Sequence, residues 1–306
     1  MSDHRILLIE NPASLAVDLT RLRIRRHGFN DYFVSPRDIA VLCLHHHTIQ
    51  ITVQAIRALA EAGASVIITD KIHHPCAWLL PQVGSGELGR RLRQQIAFDS
   101  REEKARLWQA IVQTKLNTQA VNLRHLERPG ALRLERLAKQ VQPGDVTKCE
   151  GQGAKHYWAN LFEEGFKREK QGADDNINAR LNFGYAVLRA MIARALVMAG
   201  LNPALGLGHY NLENPFNLAD DFIEPYRFIV DRHIAQGGRG EFDSAARKNI
   251  LGFVKQEIKL KGGSYRLPAA ITESVASFVR VLEGKKAELN LPQDALGESK
   301  DDESWA

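Results

Sequence analysis

The apolar residues of this 306-residue chain change their spacing once, near residue 85, and that change limits the fold more than any other feature. Before it, short segments are separated by turn-formers. Residues 6–10, 15–26 and 40–45 carry the apolar or alternating pattern that strands require. The apolar positions 15, 17, 19, 22 and 24 slip phase once, as two strands joined by a turn would. Residues 48–63 take on helical spacing and stop at Gly63, and residues 64–70 read as a strand again. From Gly86 the pattern is helical: Leu88, Leu92, Ile96, Leu107, Ile111, Leu116 and Leu123 recur at near-helical spacing, with an interruption near Phe98–Ser100. Further helices are expected over 129–140, 150–169, 178–200, 242–262 and 264–289, the last beginning after Pro268. The expected class is α+β, with a small β-rich domain over 1–85, a larger all-helical domain over 86–295 and a loose tail over 296–306.

Composition then removes several function classes. The 44% apolar and 25% charged residues are those of an ordinary globular protein. Residues 1–14 carry an acidic residue and only a short apolar run, unlike a secretory signal, and no uninterrupted apolar stretch reaches bilayer length. A cytoplasmic location without membrane contact is expected. Cys43, Cys76 and Cys149 are an odd number with no close pair, so structural thiols are expected rather than a disulfide framework or a zinc site. The net charge of +5 is modest, but residues 86–140 hold twelve Lys/Arg against six Asp/Glu, a local +6. Arg90, Arg91 and Arg93 are clustered there and are candidate DNA-backbone contacts, although ordinary solubility would use the same charge.

The densest chemistry lies in residues 201–231. His209 stands in a Gly- and Asn-rich loop, and Asp220, Asp221 and Glu224 follow at the start of a helix. Residues three and four apart share a helix face, so Glu224 can lie beside either aspartate while His209 approaches from the loop. Asn217 and Asp220 also fit a capping pattern, which would explain Asp220 without function. Pro225 ends or kinks that helix. Glu150 stands at another helix entrance, where it could serve only the helix dipole, and Gly151 and Gly153 let other segments approach. Tyr157, Trp158 and Phe162 are expected to pack inward. Imidazole and carboxylate donors suit Mg²⁺ or Mn²⁺ in phosphoryl transfer. The consecutive His45, His46 and His47 would alternate faces in an extended chain and do not suit one metal; His73 and His74 fit surface or substrate contacts better.

Three ordered motifs carry a resemblance. They are Glu150-Gly-x-x-Ala154-x-x-Tyr157-Trp158, then Asn178-Ala-Arg-Leu-Asn182-Phe-Gly-Tyr185-Ala, then Gly208-His209 with Asn214-Pro-Phe-Asn-Leu-Ala-Asp-Asp-Phe-Ile-Glu224-Pro. Together they resemble the integrase of CRISPR adaptation, the larger of its two universal proteins, in the form found in type II systems. The resemblance implies a dimerising β domain and a helical catalytic domain in which Glu150, His209 and Glu224 hold Mg²⁺ or Mn²⁺. Asp221 matches a further acidic position that assists catalysis, and Asp220 fits a cap better. Many members carry a histidine pair where this chain has Gly208-His209, and tyrosine is frequent where it has Phe183. The implied reaction joins the 3′-hydroxyl of a short double-stranded DNA to a phosphodiester at a CRISPR repeat border; branched DNA is cut by the reverse or hydrolytic step. Implied partners are a second copy of the chain, the small adaptation protein, and in type II systems the effector nuclease and a ring-shaped DNA-end-binding protein. A structure-selective repair nuclease acting alone, or a non-catalytic DNA-binding scaffold, would use the same residues differently.

Overall fold

The computed structural model describes residues 5–69, 75–81, 87–99, 102–162, 165–169, 175–237, 240–285 and 288–298. His73, His74 and tail residues 299–306 lie outside them. The N-terminal region contains strands β1 (Arg5–Ile9), β2 (Ser14–Asp18), β3 (Arg21–Arg25), β4 (Tyr32–Val34), β5 (Ile39–Leu44) and β6 (Gln50–Ile51), helix α1 (Val53–Glu61), and strands β7 (Ser65–Thr69) and β8 (Pro75–Leu79). They form two four-stranded sheets, ordered β1-β5-β7-β8 and β4-β3-β2-β6. The phase slip at residues 15–24 is the β2–β3 hairpin: Asp18 pairs with Arg21, and Leu19 turns outward with φ 54°. Thr52 caps α1 by accepting from the Ala55 N–H at 3.2 Å, and Gly63 follows the helix with φ 78°.

Strand β5 explains why residues 40–45 read as a continuous apolar run. Leu42 and Leu44 enter a small core with Leu15, Leu22, Ile24 and Leu59, while Val41 and Cys43 enter the large core of the helical region. A strand buried on both faces has no polar alternation to display.

The rest of the chain follows as α2 (Leu88–Asp99), α3 (Glu102–His125), α4 (Ala131–Gln140), α5 (Cys149–Leu161), α6 (Asn176–Met198), α7 (Asn217–Ile223), α8 (Arg227–Gln236), α9 (Ser244–Ile250), β9 (Gln256–Leu260), β10 (Gly263–Arg266), α10 (Leu267–Leu282) and β11 (Asp294–Glu298). Helices α3 and α6 supply much of the large core. Among the described residues α6 has the length and apolarity to cross a bilayer, yet 67% of its apolar stretch is buried inside the protein, as a core helix requires.

Four expectations need correction. The C-terminal part is mostly rather than entirely helical, because β9 lies between β10 and β11 in an antiparallel sheet. The helical reading of 242–262 holds only to α9 and the 3₁₀ turn Leu251–Lys255. Strand β9 follows, and Gly262 and Gly263, with φ 110° and 148°, turn the chain into β10 instead of ending a helix. Residues 296–298 of the expected tail belong to β11. Helix α2 also rotates away from its expected face: Leu88 and Ile96 are exposed, whereas Arg91, Gln95 and Phe98 point inward. Polar anchors set this rotation. Arg91 pairs with Glu283 at 2.7 Å, and Gln95 bonds both the N–H and the carbonyl of Asn202.

Candidate active site

The site lies where α3, α5, the loop before α7 and the bend between α7 and α8 meet. Pro225 makes that bend, since α7 ends at Ile223, Glu224–Tyr226 forms one 3₁₀ turn, and α8 resumes at Arg227. Glu224 is placed there with only 4% of its side chain exposed. Glu150 sits in the first turn of α5, whose start is held by a residue the sequence reading passed over. Asp145 accepts from the N–H groups of Cys149 at 2.8 Å and Glu150 at 3.0 Å. Of the two nearby glycines, Gly153 lets α5 approach Leu116 of α3, while Gly151 has open space beside it.

His209 is positioned by Asp221. The Asp221 carboxylate has no exposed surface and accepts from the backbone N–H groups of Leu207, Gly208 at 3.2 Å and His209 at 3.0 Å; the His209 Nδ1 lies 2.7 Å from Oδ1. With Nδ1 committed to Asp221, Nε2 is the ring nitrogen left for a ligand. The loop needs glycine at two places. A Cβ on Gly206 would press on the His209 carbonyl, and one on Gly208 would overlap the Trp108 indole. Trp108 also packs edge-on against the imidazole, ring centroids 5.5 Å apart. Asp220 faces away, bonded to Arg189 at 2.6 Å and to the Asn214 amide at 2.7 Å. Asn217, expected as a cap, is instead the first residue of α7, and the Asn214 side-chain oxygen Oδ1 accepts from the Phe216 N–H at 3.1 Å.

The centre holds a cation that the sequence reading missed. Lys115 of α3, 7% exposed, places its Nζ 2.7 Å from Glu150 Oε1 and 2.6 Å from Glu224 Oε2. Arg227 reaches the other oxygen of Glu224 at 3.1 Å. Burial opposes the charge of Glu224, but Arg227 and then Lys115 outweigh it and hold the carboxyl at about 2. Burial likewise opposes the Lys115 ammonium, and Glu224 and Glu150 more than offset it, so its pKa is raised. Burial would push the His209 imidazole down; the Asp221 bond, followed by the charges of Asp221, Glu224 and Glu150, raises it above the usual histidine value. Burial pushes the Asp221 carboxyl up, against the imidazole and the backbone donors that pull it down.

Among the described residues no three His, Cys, Asp or Glu side chains close on one point as a ready metal cage. Lys115 stands between the two glutamates instead. The donor set nevertheless fits Mg²⁺ or Mn²⁺: two carboxylates and an imidazole with a free nitrogen are hard and borderline ligands, and the oxygens of Glu150 and Glu224 already close on one cation, the Lys115 ammonium. Glu150 and His209, at 29% and 37% side-chain exposure, form the open side, and Glu224 forms the floor.

Behind the site, Asp231 accepts from the hydroxyls of Tyr157, at 3.0 Å, and Tyr185; Asn122 donates to the Tyr157 hydroxyl at 2.6 Å, and Arg232 donates to Asn122 at 2.8 Å. Tyr157 is therefore a buried hydrogen-bonding residue as well as a packing one. Trp158 and Phe162 are half-buried in an aromatic group with Phe166. The three arginines of α2 do not act as a unit: Arg90 pairs with Glu87, Arg91 is buried on Glu283, and Arg93 is exposed. His45 is buried against Phe183, while His46 and His47 stack on each other. The three cysteines are free.

Comparison with known proteins bears on this arrangement. The family model described as CRISPR associated protein Cas1 matches residues 6–241. The CRISPR-associated endonuclease Cas1 of Neisseria meningitidis serogroup C is 36% identical over 296 residues, covering 94% of this chain and 96% of that protein. A casposase bound to its integration product superposes with TM-score 0.76 at 20% identity, over 93% of this chain and 92% of that one. The chain also superposes on 36% of a chain in a Cas6-RT-Cas1–Cas2 complex, with TM-score 0.74 at 17% identity and 94% of its own length covered. At those identities the two structures establish the fold.

Proposed function

The chain belongs to the CRISPR-associated Cas1 family, and from that membership we propose that it is a DNA integrase that inserts short double-stranded DNA into a CRISPR array as new spacers. The observation that carries the reading is the pair Glu150 and Glu224, joined through Lys115 and near enough to the Asp221-anchored His209 for both charges to raise its imidazole, at one half-open site. A divalent cation held by those three residues would neutralise a phosphate oxygen and favour attack by a 3′-hydroxyl. The chain's own residues supply the frame. Asp221 fixes the imidazole with Nε2 outward, Arg227 keeps Glu224 ionised at the floor, and Asp145 fixes the first turn that carries Glu150. Asp221 thus acts through His209 rather than as a ligand.

Joining two ends of one fragment requires two such sites on one frame. The proposed assembly is a dimer of this chain with the small adaptation protein, in keeping with the Cas1–Cas2 complex that shares its fold. The type II effector nuclease and the end-binding ring protein belong to the same proposal. With water in place of the 3′-hydroxyl, the site would cut branched DNA, in keeping with the endonuclease name of the Neisseria relative. Exposed Arg93 and partly exposed Arg90 are proposed as backbone contacts.

The test is strand joining of a short duplex with free 3′-hydroxyls into a plasmid carrying a CRISPR repeat, with the small partner and Mg²⁺ or Mn²⁺. Joining at the repeat borders by the parent and not by His209→Ala is expected. Cleavage of branched DNA without any joining would replace this reading with that of a nuclease acting alone.

A further inference from the structure

Lys115 is accounted for neither by the expected ligand set nor by the packing of α3. Its helical neighbours Ile111, Val112 and Leu116 are fully buried and apolar, yet Lys115 places an ammonium between Glu150 and Glu224, the two carboxylates expected to hold a divalent ion. Burying an ammonium there is costly unless its partners need a cation. The charge balance shows which cation they lack. Glu150, Asp221 and Glu224 carry three negative charges against the two positive charges of Lys115 and Arg227, and a metal-bound His209 is neutral. Counted with the neutral imidazole that a metal requires, the site carries one net negative charge before the metal is added. A divalent ion takes it one charge past neutral, and a single phosphodiester restores the balance.

We propose that Lys115 is a resident counter-cation that competes with the divalent metal for Glu150 and Glu224, so that tight metal loading requires a DNA phosphate. The proposal rests on the metal-dependent integrase reading and adds an order to it. In the absence of DNA, Lys115 keeps the two carboxylates together and the metal binds weakly. When a phosphate arrives, it takes up the excess positive charge and the metal is retained. Coupling of this kind is reciprocal, so metal must strengthen DNA binding by the factor by which DNA strengthens metal binding.

The test is a Mn²⁺ titration followed by the electron paramagnetic resonance of free Mn²⁺. It uses the full chain, Lys115→Met and Lys115→Arg, each with and without a duplex whose 3′-deoxy ends cannot attack. Without DNA, Lys115→Met should bind Mn²⁺ about tenfold or more tightly than the parent, and DNA should add less to its affinity. Lys115→Arg, which keeps the charge, should stay weak. Loss of a merely structural lysine would loosen the site and weaken Mn²⁺ binding, so equal or weaker binding by Lys115→Met overturns the proposal. If that variant melts early without metal, rescue of its melting temperature by Mn²⁺ supports the proposal, and failure of rescue counts against it. No Mn²⁺ binding by the parent, with or without DNA, would instead overturn the metal-dependent reading on which the proposal rests.

Discussion

At the residue scale, the fate of the three acidic groups near His209 shows how position decides role. Asp221 has no exposed surface, and its oxygens serve three consecutive backbone N–H groups and one imidazole nitrogen. An amide in its place brings a donor against donors. Asp221→Asn is therefore expected to cost about 3 kcal/mol of stability, as other broken buried pairs do, and to weaken metal binding about 10- to 100-fold through the loosened histidine. Denaturant melts and Mn²⁺ titration check this, and parental values in both would remove Asp221 from the site. A second prediction concerns Asp231, which burial raises to about 6 despite the opposing hydroxyls of Tyr185 and Tyr157. A carboxyl whose folded pKa lies above its unfolded value contributes stability that is full below about pH 4 and is lost as pH rises through about 6, here about 3 kcal/mol. Asp231→Asn cannot titrate, so its stability relative to the parent should be greater at pH 7.5 than at pH 4.5; parallel urea midpoints at the two values would contradict this. In the sequence, spacing marks His209 and Glu224 as candidates, and Glu150 becomes one through its motif. Lys115 does not, because one lysine on an amphipathic helix reads like any solvated lysine. Asp145 was hidden because it acts on backbone N–H groups.

At the scale of elements, the site depends on how closely α5 can approach α3, and two glycines two residues apart, on roughly opposite sides of the helix, separate packing from propensity. A Cβ at Gly153 would run into the Leu116 side chain, whereas one at Gly151 would meet nothing within 4 Å. Gly153→Ala should cost about 1–3 kcal/mol as an overpacked contact, and strand joining should fall with it because Glu150 and Lys115 lie on those helices. Gly151→Ala should gain up to about 1 kcal/mol from helix propensity alone. Thermal melts of the two variants that moved in the same direction would contradict this account. The same distinction explains the misread face of α2. The stripe Leu88, Leu92, Ile96 has the expected helical spacing, but the inward face is set by Arg91 on Glu283 and Gln95 on Asn202, partners 192 and 107 residues away. Periodicity reports which residues share a face, and only tertiary bonds decide which face is buried.

At the scale of the whole molecule, the change of spacing near residue 85 captured the large division into N-terminal sheets and a mostly helical remainder. The sheet of β9, β10 and β11 escaped because β11 pairs with β9 from more than thirty residues away, and its strands are too short to outweigh the helices around them. Charge was legible in the same partial way. The local +6 of residues 86–140 is real, but Arg90, Arg91, Lys104, Lys115 and Arg124 are each engaged with a carboxylate. The proposed DNA-backbone contacts therefore fall to side chains that keep exposed surface, Arg93 and the half-exposed Arg90, and Arg91 and Arg93 separate the buried and exposed populations two residues apart on one helix. Loss of an exposed phosphate contact lowers the dependence of log affinity on log salt by about one. Arg93→Gln should therefore weaken duplex binding and flatten that slope while leaving the melting temperature in place. Arg91→Gln should lower the melting temperature by several degrees, since it strips a buried partner from Glu283, and leave the slope unchanged. Binding isotherms at several salt concentrations, read beside thermal melts, decide the matter. A flattened slope in Arg91→Gln would mean that the buried pair opens to DNA and that α2 turns when the substrate binds.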